Sequence, residues 1–335
     1  MDVILHVADE YLLDSVYSYL LPHPPIPSSV LPDLYNKTVL PSPYTQSTTY
    51  HPPPELSDQV KGSMLARDSI PRQLISLFSI ALITSLIMYF IFCSISYYCF
   101  YDRRLEHHPK FLKNQIRKEI KSSLIAAPVI DVMTLPWFLA EVRGHSKLYE
   151  DVNEYGWVYL AVSCLFFLLF TDLAIYWVHR LEHHPLIYKH VHKPHHKWIV
   201  PTPYAALAFH PLDGYAQSLP YHIFPFLFPL HKFAYLGLFV FVQFWTILIH
   251  DGDMISGHFL ERYINSPAHH TLHHLYFTCN YGQYFTWADA AWDSYRAPED
   301  SLDPIHESLK NMKKKGLIDE NGNTIPQMKS DKKDL

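Results

Sequence analysis

The sequence predicts an all-α protein, a multi-pass membrane helical bundle with a histidine-rich, metal-binding cap on its cytosolic side. Three observations carry that prediction. Apolar stretches able to cross a bilayer as helices recur between residues 73 and 249. Lys and Arg gather in alternate connections between those stretches. Sixteen of the 23 His residues lie between His179 and His274.

Composition narrows the class further. The chain has 335 residues, 49% of them hydrophobic and only 18% charged, which excludes a disordered polyelectrolyte. A formal net charge of -5 gives no electrostatic basis for binding nucleic acid. Four Cys without a CxxC pair exclude a disulfide scaffold, a thiolate zinc site and a redox dithiol. Neither a glycine fingerprint for a nucleotide nor an internal repeat occurs.

Residues 1–67 read as an N-terminal arm, because ten of the 33 residues from Pro22 to Pro54 are Pro, too many for a packed element. The first basic residue is Lys37, so no cleavable signal peptide is expected. Residues 68–296 form the membrane-embedded domain. Within it, 73–101 runs 29 residues without a charge. Segment 122–140 is interrupted by Pro128, Asp131 and Pro136, whereas 155–178 carries the single charge Asp172. Segments 215–230 and 233–249 are charge-free but short, so they either cross twice or form a hairpin dipping into one leaflet. Residues 297–335 read as a charged tail.

The connections set the orientation. Stretch 101–122 holds seven basic residues against three acidic, and 141–154 holds two against four. Residues 101–121, 179–214 and 250–335 therefore belong in the cytosol, and 141–156 and the N-terminal arm in the lumen. The one glycosylation sequon, Asn36-Lys37-Thr38, then falls on the lumenal side. The chain ends Lys332-Lys333-Asp334-Leu335, which resembles the dilysine retrieval signal of endoplasmic reticulum membrane proteins, read from the cytosol.

Three His clusters lie on that cytosolic face. They are His179-Arg-Leu-Glu-His183-His184, His192-Lys-Pro-His195-His196 and His269-His270-Thr-Leu-His273-His274. On a helix, positions i, i+3 and i+4 share a face. His179 with His183, His192 with His195 and His196, and His270 with His273 and His274 would present imidazoles to a common point. His250 adds a candidate where the last apolar segment ends. Nine candidate ligands exceed one coordination sphere, so two ions are expected; imidazole suits iron, zinc or copper alike. Asp172, Tyr176, His179 and His183 form one helical stripe, which makes Asp172 the expected orienter of the first box. His184, His210 and His269 are weaker candidates for supporting the ligands. His107, His108, His222, His231 and His258 read as ordinary interface residues.

The three boxes resemble those of the membrane fatty acid hydroxylase/sterol desaturase superfamily. Within it, Trp198–Lys232, Trp245–Asp253 and Asn280–Phe285 are similar to the sterol C-5 desaturases. The resemblance covers roughly 68–296, with Trp292-Asp293-Ser294-Tyr295 standing where many relatives have an Asp followed by a Gly-Thr turn. It implies a non-haem di-iron cap, O2 as oxidant, and conversion of a delta-7 sterol to its delta-5,7 diene. With no fused haem motif, it implies cytochrome b5 and its reductase as external electron donors. The basic residues of 103–121 and 189–197 are candidate docking surface for that donor. Tyr204, Phe209, Tyr215, Tyr221, Phe224, Phe226 and Phe228 are candidate walls of a sterol slot. Rival readings of the same boxes are a sterol C-4 methyl oxidase, a lipid hydroxylase, a di-zinc membrane hydrolase in which metal-bound water attacks an ester, or a metal-binding protein without catalysis.

Overall fold

The computed structural model describes residues 1–22 and 63–325. Among these residues, five helices make the bundle. Helices α3 (Ile70–Cys99), α4 (Gln115–Val142) and α5 (Gly156–Glu182) are each long and apolar enough to cross a membrane. Two 17-residue helices, α8 (Pro211–Leu227) and α9 (Lys232–Leu248), complete it. α3 packs on α4, and α8 lies against both α4 and α5. Phe167 and Ile175 of α5, Tyr221 and Phe224 of α8 and Tyr235 and Val242 of α9 form the central core with Leu230 and Tyr284. The Pro residues expected to interrupt 122–140 lie inside α4, which is continuous through Pro128 and Pro136. Prolines are tolerated in such helices because neighbouring groups satisfy the freed carbonyls.

The short hairpin reaches the far end of the bundle. At its tip, strand β2 (Leu230–His231) pairs in parallel with β1 (Leu148–Tyr149) in the α4–α5 connection. The Lys147 amide donates to Pro225 O (2.7 Å), His231 Nε2 to Glu150 O (2.7 Å) and the Tyr159 hydroxyl to Pro229 O (2.9 Å). The α4–α5 connection lies at the start of α5, and the first His box lies at its other end. A 17-residue helix is about 25 Å long, close to the ~30 Å hydrocarbon thickness. The hairpin therefore runs from the His boxes, at Asp213 and His250, to the opposite end of α5.

Both chain ends contain more structure than their composition suggested. Before the Pro-rich stretch, α1 (Asp2–Ala8), a π-helical turn (Asp9–Leu13) and α2 (Asp14–Leu20) dock against the bundle. Leu5 packs with Leu77, Phe138 and Val142, and buried Arg72 pairs with Asp9 at 2.6 Å and with Asp14. The four acids of this segment look solvent-directed in sequence, yet two of them neutralise one buried guanidinium. The Pro-rich stretch, Asn36 and the terminal dilysine lie outside the described residues. In the tail, α11 (Ile305–Lys314) docks on residues 103–108 through Asn311 Nδ2 to His107 O (2.6 Å) and Glu307 to His108 (3.0 Å).

Candidate metal centre

Short elements hang the His boxes on the bundle. His179 lies in the last turn of α5 and His183 is its C-cap. After α6 (Pro185–Tyr188), the one-turn helix α7 (Lys193–His196) starts at His192 as N-cap, and α10 (Pro267–Tyr276) carries the third box. The segment after α7 is anchored to α4. Buried Glu119 accepts from the Thr202 amide and hydroxyl, and Gln115 Nε2 donates to Val200 O (2.8 Å).

The nine expected side chains meet, but at two points rather than one. His179, His183, His192, His196 and His273 form one group, and His195, His250, His270 and His274 the other. His179 and His183 point one way as expected, whereas the expectation that each HxxHH box does so is corrected here. At about 100° per residue, i and i+4 lie ~40° apart, whereas i+3 lies ~60° to the opposite side. Each i,i+4 pair accordingly serves a single group: His179 with His183, His192 with His196, His270 with His274. The remaining member of each HxxHH box, His195 or His273, crosses to the other group.

Within the first group, neighbouring Nε2 atoms lie 3.0–3.3 Å apart; within the second, 3.0–3.4 Å. At least one of these contacts is not a hydrogen bond. His179 Nδ1–H donates to Tyr281 O (3.0 Å) and His192 Nδ1–H to Asp213 (2.8 Å). In the neutral ring the opposite nitrogen then carries only a lone pair, so the 3.1 Å approach of those two Nε2 atoms sets lone pair against lone pair. A shared cation removes that repulsion. Nitrogens about 2.1 Å from one ion, at angles of 90° to 110°, stand about 3.0–3.4 Å apart, the spacing seen.

The surroundings favour the neutral, ligating form. Eight of the nine imidazoles are buried, and only His183 is half-exposed. Burial, reinforced by neighbouring imidazoles, holds His195, His196, His270, His273 and His274 well below the usual histidine range. Burial pushes His250 down to about 4. Three more Nδ1 atoms are fixed by carbonyls: His250 on Thr246 (2.7 Å), His273 on Cys279 (2.7 Å) and His274 on Trp198 (3.0 Å). The Cys279 thiol points instead at Leu272 O (3.9 Å), leaving an all-nitrogen donor set among the described residues.

The supporting residues differ from those expected. Asp172 does not reach an imidazole. Its Oδ1 accepts the amides of Gln283, Tyr284 and Phe285 (3.1, 2.7 and 3.2 Å), fixing the loop that follows Tyr281, whose carbonyl holds His179. His184 and His210 cap helices, accepting the amides of Leu186 (3.4 Å) and Leu212 (3.2 Å). His269 completes a capping box with Ser266. The carboxylates beside a ligand are Asp213, against His192, and Glu182, 3.8 Å from the same nitrogen. Gln217 Nε2 donates to both. Sequence reasoning missed this trio. Nor do the aromatic residues form one slot: Tyr221, Phe224 and Phe228 pack in or against the core, Phe226 packs on Trp137, and Tyr215 accepts from Trp137. Tyr204 packs on Tyr89 and Tyr97, and Phe209 alone of the seven stands against a site ring, His195, at 6.0 Å. The 292–295 turn closes without glycine: Asp293 takes the left-handed conformation at φ +56°, and Ser294 bonds Asp289.

Comparison with known proteins agrees with this geometry. The family model described as fatty acid hydroxylase matches residues 164–294, a span containing all nine imidazoles. The chain is 57% identical to a Delta(7)-sterol 5(6)-desaturase of Gibberella zeae, over 99% of this chain and all of that one. The chain belongs to the sterol 5(6)-desaturase family. A second family member, from Aspergillus fumigatus, is 51% identical over 99% of this chain and all of its own. The lathosterol oxidase of Mus musculus is 51% identical over 74% of this chain and 84% of its own. No solved structure matches.

Proposed function

We propose that this chain is a sterol C-5 desaturase, an oxidoreductase that removes hydrogens from C-5 and C-6 of a delta-7 sterol to give the delta-5,7 diene. Near-full-length identity to proteins named for that reaction carries the reading. It also disfavours the C-4 methyl oxidase, lipid hydroxylase and hydrolase alternatives. The cofactor is two non-haem irons, one held by His179, His183, His192, His196 and His273, the other by His195, His250, His270 and His274. When bound, the irons supply the O2 and one-electron chemistry that an unactivated C–H bond requires. The polypeptide holds nine Nε2 donors, fixes five of them through Nδ1 partners, and keeps eight of the rings from water. Asp213 adds a carboxylate partner that accepts from His192 Nδ1.

The electrons come from outside the chain, through cytochrome b5 and its reductase, and the protein resides in the endoplasmic reticulum membrane with its His cap in the cytosol. The deciding experiment is a sterol profile of cells whose own C-5 desaturase has been deleted, carrying this chain or its His270→Ala variant. The intact chain should restore delta-5,7 sterols, and the variant should leave delta-7 sterols. Delta-7 sterols persisting unchanged with the intact chain would overturn the C-5 desaturase reading.

A further inference from the structure

The reaction proposed above needs a route for electrons, and the structure offers a short one. Of the nine imidazoles only His183 has an exposed edge; the others are at most 6% accessible. Half-buried Tyr188 lies over that ring, with centroids 5.4 Å apart and planes 30° from parallel. It also stands 5.9 Å from the His196 ring and 6.4 Å from His192. Phe277 completes the cover, 6.5 Å from Tyr188 and 4.9 Å from His196. A single aromatic layer thus separates the surface from the five-imidazole group. Electron transfer falls off steeply with distance, so a donor gains most by docking on this layer.

The charge around the layer points to the kind of donor. Residues 183–200 contain no Asp or Glu, and Lys189, Lys193 and Lys197 are all exposed. None of the three forms an ion pair among the described residues. In a chain of net charge -5 this is a local inversion of sign. An anionic headgroup satisfies the charge but brings no electron to the exposed imidazole.

We infer that the surface centred on Tyr188 and His183, with Lys189, Lys193 and Lys197 around it, docks an acidic one-electron carrier protein that reduces the five-imidazole site. The inference rests on the proposed desaturase reading. The balance requires such a carrier twice per turnover. The sterol gives up two electrons and two protons as the C-5–C-6 double bond forms. Two donor molecules, each oxidised by one electron, supply two more electrons, and solvent supplies two protons. One O2 accepts all four of each and leaves as two waters.

The test uses full-length, iron-loaded protein in nanodiscs and the reduced soluble haem domain of cytochrome b5, mixed anaerobically in a stopped-flow instrument. Lys189→Glu with Lys193→Glu should lower the second-order rate of haem oxidation about tenfold at low salt and flatten its ionic-strength dependence. Reduction by dithionite and the iron content should not change, and Lys313→Glu with Lys314→Glu should behave as wild type. Variants as fast as wild type overturn the docking surface. So does an equal slowing with dithionite, which marks a disturbed centre. An effect confined to anionic nanodiscs and absent from neutral ones assigns the patch to lipid and also overturns it. A wild-type enzyme that forms no delta-5 bond with reduced donor and O2 removes the desaturase reading, and the docking inference with it. Wild-type turnover with unimpaired variants removes the docking alone.

Discussion

Asp213→Asn tests whether the trio behind His192 tunes the metal centre. In the native protein Asp213 Oδ2 accepts from His192 Nδ1 at 2.8 Å while Oδ1 accepts from Gln217 at 2.6 Å. Asparagine keeps the shape but has one acceptor oxygen for two donors, so it removes the charge and strands one N–H. A hydrogen bond to a charged partner contributes about 1.5–3 kcal/mol. At about 1.4 kcal/mol per factor of ten, that is roughly a 10- to 100-fold loss of affinity, the range typical of a carboxylate supporting a metal-bound His. The loss should fall on the five-imidazole site alone, because neither carboxylate belongs to the other group. Chelator competition followed by metal analysis should show one ion leaving at 10- to 100-fold lower chelator and the second leaving as in wild type. Glu182→Gln is the comparison: at 3.8 Å from His192 Nδ1 it is outside hydrogen-bonding distance. Its effect should be smaller. Equal effects of the two substitutions, or two ions weakened together by Asp213→Asn, would refute the assignment.

Adjacent residues should have opposite consequences at His195 and His196. His195→Ala leaves three imidazoles in its group and His196→Ala leaves four in the other, so iron analysis should find about one ion per chain in the former and nearer two in the latter. Asp172→Ala should destabilise the protein far more than Asp172→Asn in thermal melts, because alanine strands three amides at about 1–3 kcal/mol each while asparagine keeps the accepting oxygen. A similar melting temperature for the two would show that the 283–285 loop does not depend on that oxygen. A glycosylation acceptor engineered into 144–155 should be modified and one in 315–325 should not, as read by a mobility shift; the reverse pattern would invert the orientation.

What was legible in the sequence is what repeats locally. The long apolar runs announce α3 and α5, and the spacing of the boxes announces eight of the nine converging imidazoles, because both depend only on rise and turn along one helix. The split into two centres was harder to see. Residues i, i+3 and i+4 look like one face until the ~100° between adjacent His residues is compared with the size of a coordination sphere. Then His195 and His196 have to diverge. The same reading had a signal for the capping residues: His184 and His210 each precede a Pro, and His269 is third after Ser266 in Ser-Pro-Ala-His. A helix start explains each of them.

Asp213 had no such signal. It is 21 residues from His192 and reaches that ring only because α8 packs along α5, a contact set by Phe167, Tyr221 and Phe224 in the bundle core. The tip of the α8–α9 hairpin is the same kind of case: its place beside the α4–α5 connection comes from pairing of Leu230 and His231 with residues 148–149, more than 80 positions earlier. Asp172 shows the converse. Its stripe position was read correctly, but its partner was taken to be the nearest imidazole on its own helix, whereas three loop amides from residues 283–285 outcompete it. A buried carboxylate is satisfied by whichever donors the packed structure brings nearest. The imidazoles on its own helix therefore had no prior claim on Asp172, and the group that orients a ligand had to be sought across the packing interface.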